Sequence, residues 1–185
     1  MKHLLLSCLA LLSLSAQAVE YNRIDPARSS VQFVFKQMNV PIEGRFQRFK
    51  GQLTFDPAKP AAARAELEME LASIDAGSPE ANDEVASKLW FDTKAHPVAR
   101  FVATSIKPLG KDRFELVGKL SIKGRTQEIS TPAAWRTEGS TAIFTGTLVM
   151  KRADFGIGEG IWADFGTVAN EVQIRFHLVA TAAKP

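Results

Sequence analysis

Few side chains in this sequence are of the kind that do covalent chemistry. Beyond the first 18 residues there are only two histidines, His96 and His177, and no cysteine, because the single Cys8 lies near the start. A Ser–His–Asp hydrolase would have to use His96, within Phe91-Asp92-Thr93-Lys94-Ala95-His96-Pro97, with Asp92 as its orienting acid. No Gly-x-Ser-x-Gly elbow is present to hold a nucleophile. An exported hydrolase on His96 is therefore a rival reading, and loop bracing is the plainer role. His177 falls on the polar face of an alternating segment and reads as solvated. Two distant histidines, with no cysteine and no calcium-loop carboxylate spacing, give no metal site. Asp154-Phe155-Gly156 matches the kinase metal-binding triplet, but the glycine-rich loop, strand lysine and catalytic loop of a kinase are missing. Gly156-x-Gly158-x-Gly160 lacks the following helical pattern that a dinucleotide site requires and reads as a turn. No catalytic residue, cofactor or metal is assigned.

Charge adds little. The 185 residues carry a net +3 with acids and bases interleaved, whereas a nucleic-acid binder clusters its bases on one stripe. The one long apolar run opens the chain: Lys2 and His3, then Leu4 to Leu14, then Ala16-Gln17-Ala18. A basic start, an apolar core and a small-x-small exit predict a secretory signal peptide over residues 1–18, cleaved after Ala18. Its apolar core is too short to span a bilayer, which takes roughly 20 residues. Cys8 follows too little of that core to be a lipoprotein cysteine. The expectation is a periplasmic or secreted protein with no stable membrane anchor, made of one domain over residues 19–185 and free of disulfides.

The elements follow from period-two alternation, the mark of strands with one wet face. Ala65, Leu67, Met69 and Leu71 oppose Glu66, Glu68 and Glu70, which read as a solvated face. Phe114, Leu116, Leu120 and Ile122 oppose Arg113, Glu115 and Lys119. Val172, Ile174, Phe176 and Leu178 oppose Glu171, Gln173, Arg175 and His177. The same pattern runs through Val31–Lys36 and Ala142–Met150. Weaker strands are predicted around Phe46–Phe49, Leu53–Phe55, Val98–Lys107 and Gln127–Arg136, making eight or nine. Gly51, Gly110, Gly124 and Gly139 are placed near strand ends, and Gly118 and Gly146 inside strands as bends or bulges. One short helix is predicted from Glu80 to about Leu89, with Ser78 as N-cap and Pro79 at its first position. The fold class is all-β, and periodicity leaves a sandwich and a closed barrel both open.

Aromatic content is the remaining signal: twelve Phe and three Trp. They fill a core, or they line a barrel around an apolar guest, for which about eight strands leave room. A filled barrel acting as an exported interaction module is the alternative to a hollow one.

The order of short motifs resembles the YceI-like family of bacterial lipid-binding proteins from about Asn22 to Ala180. These are Ile24-Asp25-Pro26 before Ser30-Val31-Gln32-Phe33, Gly44-Arg45-Phe46 with Phe49-Lys50-Gly51, and Phe55-Asp56-Pro57. Ser73-Ile74-Asp75 follows, then Trp90-Phe91-Asp92 with His96-Pro97 and Phe101. Gly118-x-Leu120-x-Ile122-x-Gly124-x-Thr126 and Arg152-x-Asp154-Phe155-Gly156-Ile157 complete the series. The resemblance implies an extended antiparallel lipocalin-like β-barrel with a helix beside it. It further implies a channel for a polyisoprenoid, an isoprenoid quinone or another long-chain lipid, with no catalytic set. Two departures touch the head group. Lys36-Gln37-Met38-Asn39-Val40 lacks the histidine such proteins often carry after the first strand, and Val85 and Ala86 stand where their helix often carries another.

The expected function is a binding or carrier protein that shields a lipid from water. Strand faces put Phe33, Phe35, Phe46, Phe49, Leu67, Met69 and Phe101 on the lining. Trp90, Phe155 and Trp162 join them from loop-rich motifs expected to frame the mouth. A homodimer is compatible with the sequence.

Overall fold

A computed structural model describes residues 19–182. The predicted signal peptide and Cys8 lie outside the described residues. The strands are β1 (Tyr21–Ile24), β2 (Ser30–Gln37), β3 (Val40–Phe46), β4 (Phe49–Thr54), β5 (Arg64–Glu70), β6 (Ile74–Asp75), β7 (Val98–Gly110), β8 (Arg113–Ile122), β9 (Arg125–Glu138), β10 (Thr141–Lys151) and β11 (Glu171–Ala182). One α-helix, α1 (Pro79–Ala86), separates β6 from β7. All pairings are antiparallel, in the order β4-β5-β7-β8-β9-β10-β11-β2-β3-β6, with β1 beside β11.

That order closes on itself because three strands are each broken once. β11 pairs with both β1 and β2 across the break between them. There Asp25 N donates to Val179 O (2.8 Å), and Val179 N donates to the Ser29 hydroxyl (2.9 Å). β4 pairs with β5, and β3, which leads into β4, pairs with β6. At this second double break Gln47 N donates to Ser73 O (3.0 Å), and Arg48 N donates to the buried Ser73 hydroxyl (2.9 Å). Tyr21 and Phe55 exchange both backbone hydrogen bonds, joining β1 to the end of β4. Counting each broken strand as one, the sheet is an eight-stranded, lipocalin-like barrel. The breaks explain why Ile24-Asp25-Pro26 and Ser73-Ile74-Asp75 stand out: each is a kink whose backbone groups a serine helps to satisfy.

Both faces of the wall follow the predicted alternation. Outside, Glu66 meets Arg100 (2.7 Å), Glu68 meets Lys50 (2.8 Å) and Glu70 meets Arg48 (2.6 Å). Inside, two apolar clusters stack along the barrel axis, one around Phe55, Phe114 and Phe144, the other around Trp90, Phe101, Leu120 and Ile157. We call the first end lower and the second upper.

Several sequence expectations need correction. Gly51 is not at a turn: it lies inside β4 opposite Leu67, whose side chain fills the space a Cβ would take. Rings do the same on the inner wall, with Phe33 over Gly44, Phe101 over Gly118 and Phe176 over Gly146. Gly118 does accompany a bulge, because the β7–β8 register slips between Ala103 and Ser105. Most of β3 escaped prediction because Gly44 stands where the alternation wants an apolar residue. The helix keeps its Ser78 cap, which accepts from Ala81 N at 3.2 Å, but ends at Ala86 rather than near Leu89.

The upper half is wider for a local reason. β9 and β10 pair only over Ala133–Glu138 and Thr141–Gly146. Pro132, next in line, has no N–H to continue the ladder. The Thr131 hydroxyl donates to Thr147 O instead (2.6 Å), and above that point the strands part.

Candidate functional site

The upper half encloses a cavity of about 360 Å3, and a smaller one of about 100 Å3 lies below it. Val31, Met69, Leu120 and Ile174 line both, so the two chambers adjoin end to end with these four side chains forming the neck between them. The lower chamber has one polar side chain on its wall, Thr131; its end is stopped by Phe55, packed edge-on against Trp135 (4.8 Å) and Phe144 (4.9 Å). The polar side chains of the upper chamber are Gln37, Glu80, Glu84 and Arg152.

Of the residues expected to line a channel, Phe33, Phe35, Phe46, Trp90 and Trp162 line the upper chamber, Leu67 and Phe101 the lower, and Met69 both. Phe49 and Phe155 do not line either. Phe49 packs against both clusters, and Phe155 is buried behind the upper wall with 1% of its surface exposed. Its loop-rich motif predicts the mouth for Phe155, but the ring packs into the core behind the wall.

What organises that loop is Arg152, a role that its place at the head of the Arg152-x-Asp154-Phe155-Gly156-Ile157 motif does not reveal. It is 1% exposed, and its guanidinium donates to five main-chain carbonyls: Ala169 (3.1 Å), Ile157 (2.8 Å), Gly158 (2.8 Å), Trp162 (2.6 Å) and Val168 (2.8 Å). All five of its N–H donors are thereby engaged. Its flat faces meet the rings of Trp90 (5.6 Å) and Phe165 (5.2 Å). Burial lowers its pKa from the ordinary arginine value. The glycine run now has a reason. Gly158 has φ +74°, and a Cβ there would strike Arg152 Nη1, so only glycine lets the chain wrap the guanidinium. Its carbonyls point at a cation; it is not a phosphate cradle.

The other side of the mouth is α1, which contributes Glu80, Ala81, Glu84 and Val85 to the wall and buries no residue completely. Trp162 Nε1 donates to Glu84 Oε1 at 2.7 Å, tying helix to loop. The Trp162 ring leans on Trp90 with centroids 5.6 Å apart. Glu80 accepts from its own backbone N–H and from the Ser78 hydroxyl, which hold its carboxyl below the usual range.

His96 sits at the turn between α1 and β7, its backbone N–H bonded to Asp92 O (2.8 Å). Among the described residues no serine hydroxyl bonds its imidazole, and no three His, Cys, Asp or Glu side chains gather to hold a metal ion. No described helix is long and apolar enough to cross a membrane.

A YceI-like domain model matches residues 22–180. The chain belongs to the YceI-like family. Among solved structures, BcnA of Burkholderia cenocepacia superposes with a TM-score of 0.84 at 46% identity, over 86% of this chain and all of that one. A domain of Saccharophagus degradans described as polyisoprenoid-binding and implicated in plant cell wall breakdown has a TM-score of 0.71 at 20% identity, covering 89% of this chain and 99% of its own. A UPF0312 protein of Azotobacter vinelandii is 32% identical over 139 residues, 72% of this chain and 70% of the relative. One from Pseudomonas putida strain W619 is 32% identical over 122 residues, and this chain spans only 64% of its length. The lipocalin-like β-barrel of this chain is the YceI-like fold.

Proposed function

We propose that this protein is a periplasmic or secreted carrier that sequesters a long-chain apolar lipid, of polyisoprenoid or isoprenoid quinone type, and catalyses no reaction on it. The observation that carries this reading is the pair of adjoining chambers, whose walls are apolar except at the mouth and at Thr131. Transfer of a chain into such a space yields about 0.8 kcal/mol per CH2. Ten methylenes would thus contribute roughly 8 kcal/mol, before the entropic cost of association. Family membership and the Saccharophagus domain's description support a lipid ligand. The leader read in the sequence supports export.

Native mass spectrometry of protein purified from its own periplasm tests it. The expected result is a mass increment of one lipid, lost in Phe35→Asp, which puts a carboxylate on the upper wall. A single bare mass for the folded wild type would favour the filled-barrel interaction module instead.

A further inference from the structure

The charges on the wall carry the reading further. Glu80 and Glu84 line the same chamber from one face of α1, four residues apart. Neither helix stability nor capping asks for that pair. Like charges at that spacing repel. Glu80 suits the first turn, but Glu84 stands in the last, where the helix dipole disfavours an anion. What compensates Glu84 comes from outside the helix, in the Trp162 bond across the mouth.

The wall stays net negative, because one guanidinium, Arg152, faces two carboxylates there. Arg152 is the one cation on the chamber wall, and its five donors are engaged by the loop's carbonyls. It could bond an anionic guest only by releasing them. Lys123 is turned to Glu159 (3.1 Å) and to the carbonyls of Lys88 and Gly156, and Arg125 also meets Glu159 (3.4 Å). Asp164, on the facing loop, is occupied by Gly166 N and the Thr167 hydroxyl, and Asp83 adds a third carboxylate on the exposed side of α1. The Trp162 bond fixes Glu84 at the entrance. The buried indole N–H of Trp90, on the same wall, has no acceptor among the described residues.

We propose that Glu80 and Glu84 make the mouth a charge filter: the chamber admits chains whose polar end is an uncharged oxygen group and turns away carboxylate- or phosphate-headed chains of the same length. This rests on the carrier reading and deepens it by naming the head-group class. Specificity here comes from repulsion built against the wrong guest.

The test uses the delipidated full-length protein with a bound fluorescent naphthylamine dye, displaced at low ionic strength by dodecanol, dodecanoate or dodecyl phosphate. Dodecanol is expected to displace the dye at about tenfold lower concentration than either anion, the ratio that a like-charge contact of one to two kcal/mol imposes. In the Glu80→Gln/Glu84→Gln double variant, where the amide carbonyl at 84 can still accept from Trp162, that ratio is expected to fall toward one. Raising salt on the wild type should narrow it too, a readout that does not depend on the variant folding. Equal or tighter binding of the anions by the wild type overturns the filter, as does a ratio unmoved by both the double variant and salt. If no probe displaces the dye and none binds directly, the carrier reading itself fails.

Discussion

The two ends of this barrel hold their shape by different means. At the lower end, side chains do it: Phe55 is 1% exposed and is clamped by Phe114, Trp135 and Phe144, while β9, β10 and β11 pair without interruption. At the upper end, β9 and β10 part and α1 buries nothing completely. There the wall is held by main-chain carbonyls gathered on one buried guanidinium. Packed rings fill the space they stabilise. A cation ringed by carbonyls stabilises a loop from behind and leaves the space in front of it open. The chamber is wide at the end where packing is not what holds the wall.

The sharpest way to break this contrast is Arg152→Met, which keeps much of the volume and removes every donor. Five carbonyls lose their partner, each at a cost of about 1–3 kcal/mol where it stays dry. A loss of roughly 5 kcal/mol in urea unfolding is expected, together with loss of dye binding. A loss under about 1 kcal/mol would mean that packing, not the guanidinium, holds the upper wall. The matching change below is Phe55→Ala, expected to cost about 3–4 kcal/mol by the transfer and cavity terms of a buried aromatic. Because the added void continues the lower chamber, the variant should also shift preference toward longer chains in a displacement series. Unaltered chain-length preference would show that a guest stops at the neck of Val31, Met69, Leu120 and Ile174.

The same contrast decides how much of the molecule was legible in its sequence. Alternation located the inner wall, because a strand facing an apolar space must repeat every second residue. So Phe33, Phe35, Leu67, Met69 and Phe101 reached the lining by pattern alone. Pattern failed where the backbone itself does the work. Gly44 left a gap in β3 that only the Phe33 ring across the ladder explains. Arg152 opens one of the family motifs, but nothing in a linear sequence says that five carbonyls from residues 157–169 will converge on it. The three glycines that follow, which read as a turn, all sit at positive φ (66°, 74° and 62°). Phe155 was misplaced for the same reason. Glu80 and Glu84 were legible as helix residues but not as wall residues, because which face of a short helix turns inward depends on the loop it is tied to.

The smallest effect expected is on pH, and it separates the ends by their order of loss. Among the described residues six carboxyl groups are held below their ordinary values, 3.8 for Asp and 4.5 for Glu. On the barrel wall and lower end the causes are Arg28 beside Asp25, Lys50 beside Glu68, Arg48 beside Glu70, and the Ser130 hydroxyl with Lys107 beside Glu115. At the upper end they are Glu80's own backbone N–H with Ser78, and Gly166 N–H with Thr167 beside Asp164. A carboxyl whose pKa is lower folded than unfolded adds stability above the unfolded value and loses it as pH falls through the folded one. Acid therefore weakens both ends below about pH 4.5, but not equally. The wall pairs are exposed and sit on strands that the ladder already holds. Glu80 and Asp164 brace a two-turn helix and a loop that, apart from the Gln37–Val168 bridge, lie outside the sheet's ladder. Hydrogen exchange at pH 6, 4.5 and 3.5, corrected for intrinsic rates, should show α1 and residues 160–168 losing protection before the β9–β10 hairpin. Simultaneous loss at both ends would place the helix and loop in the same cooperative unit as the barrel, and the division between a packed end and a framed end would then be one of geometry, not of stability.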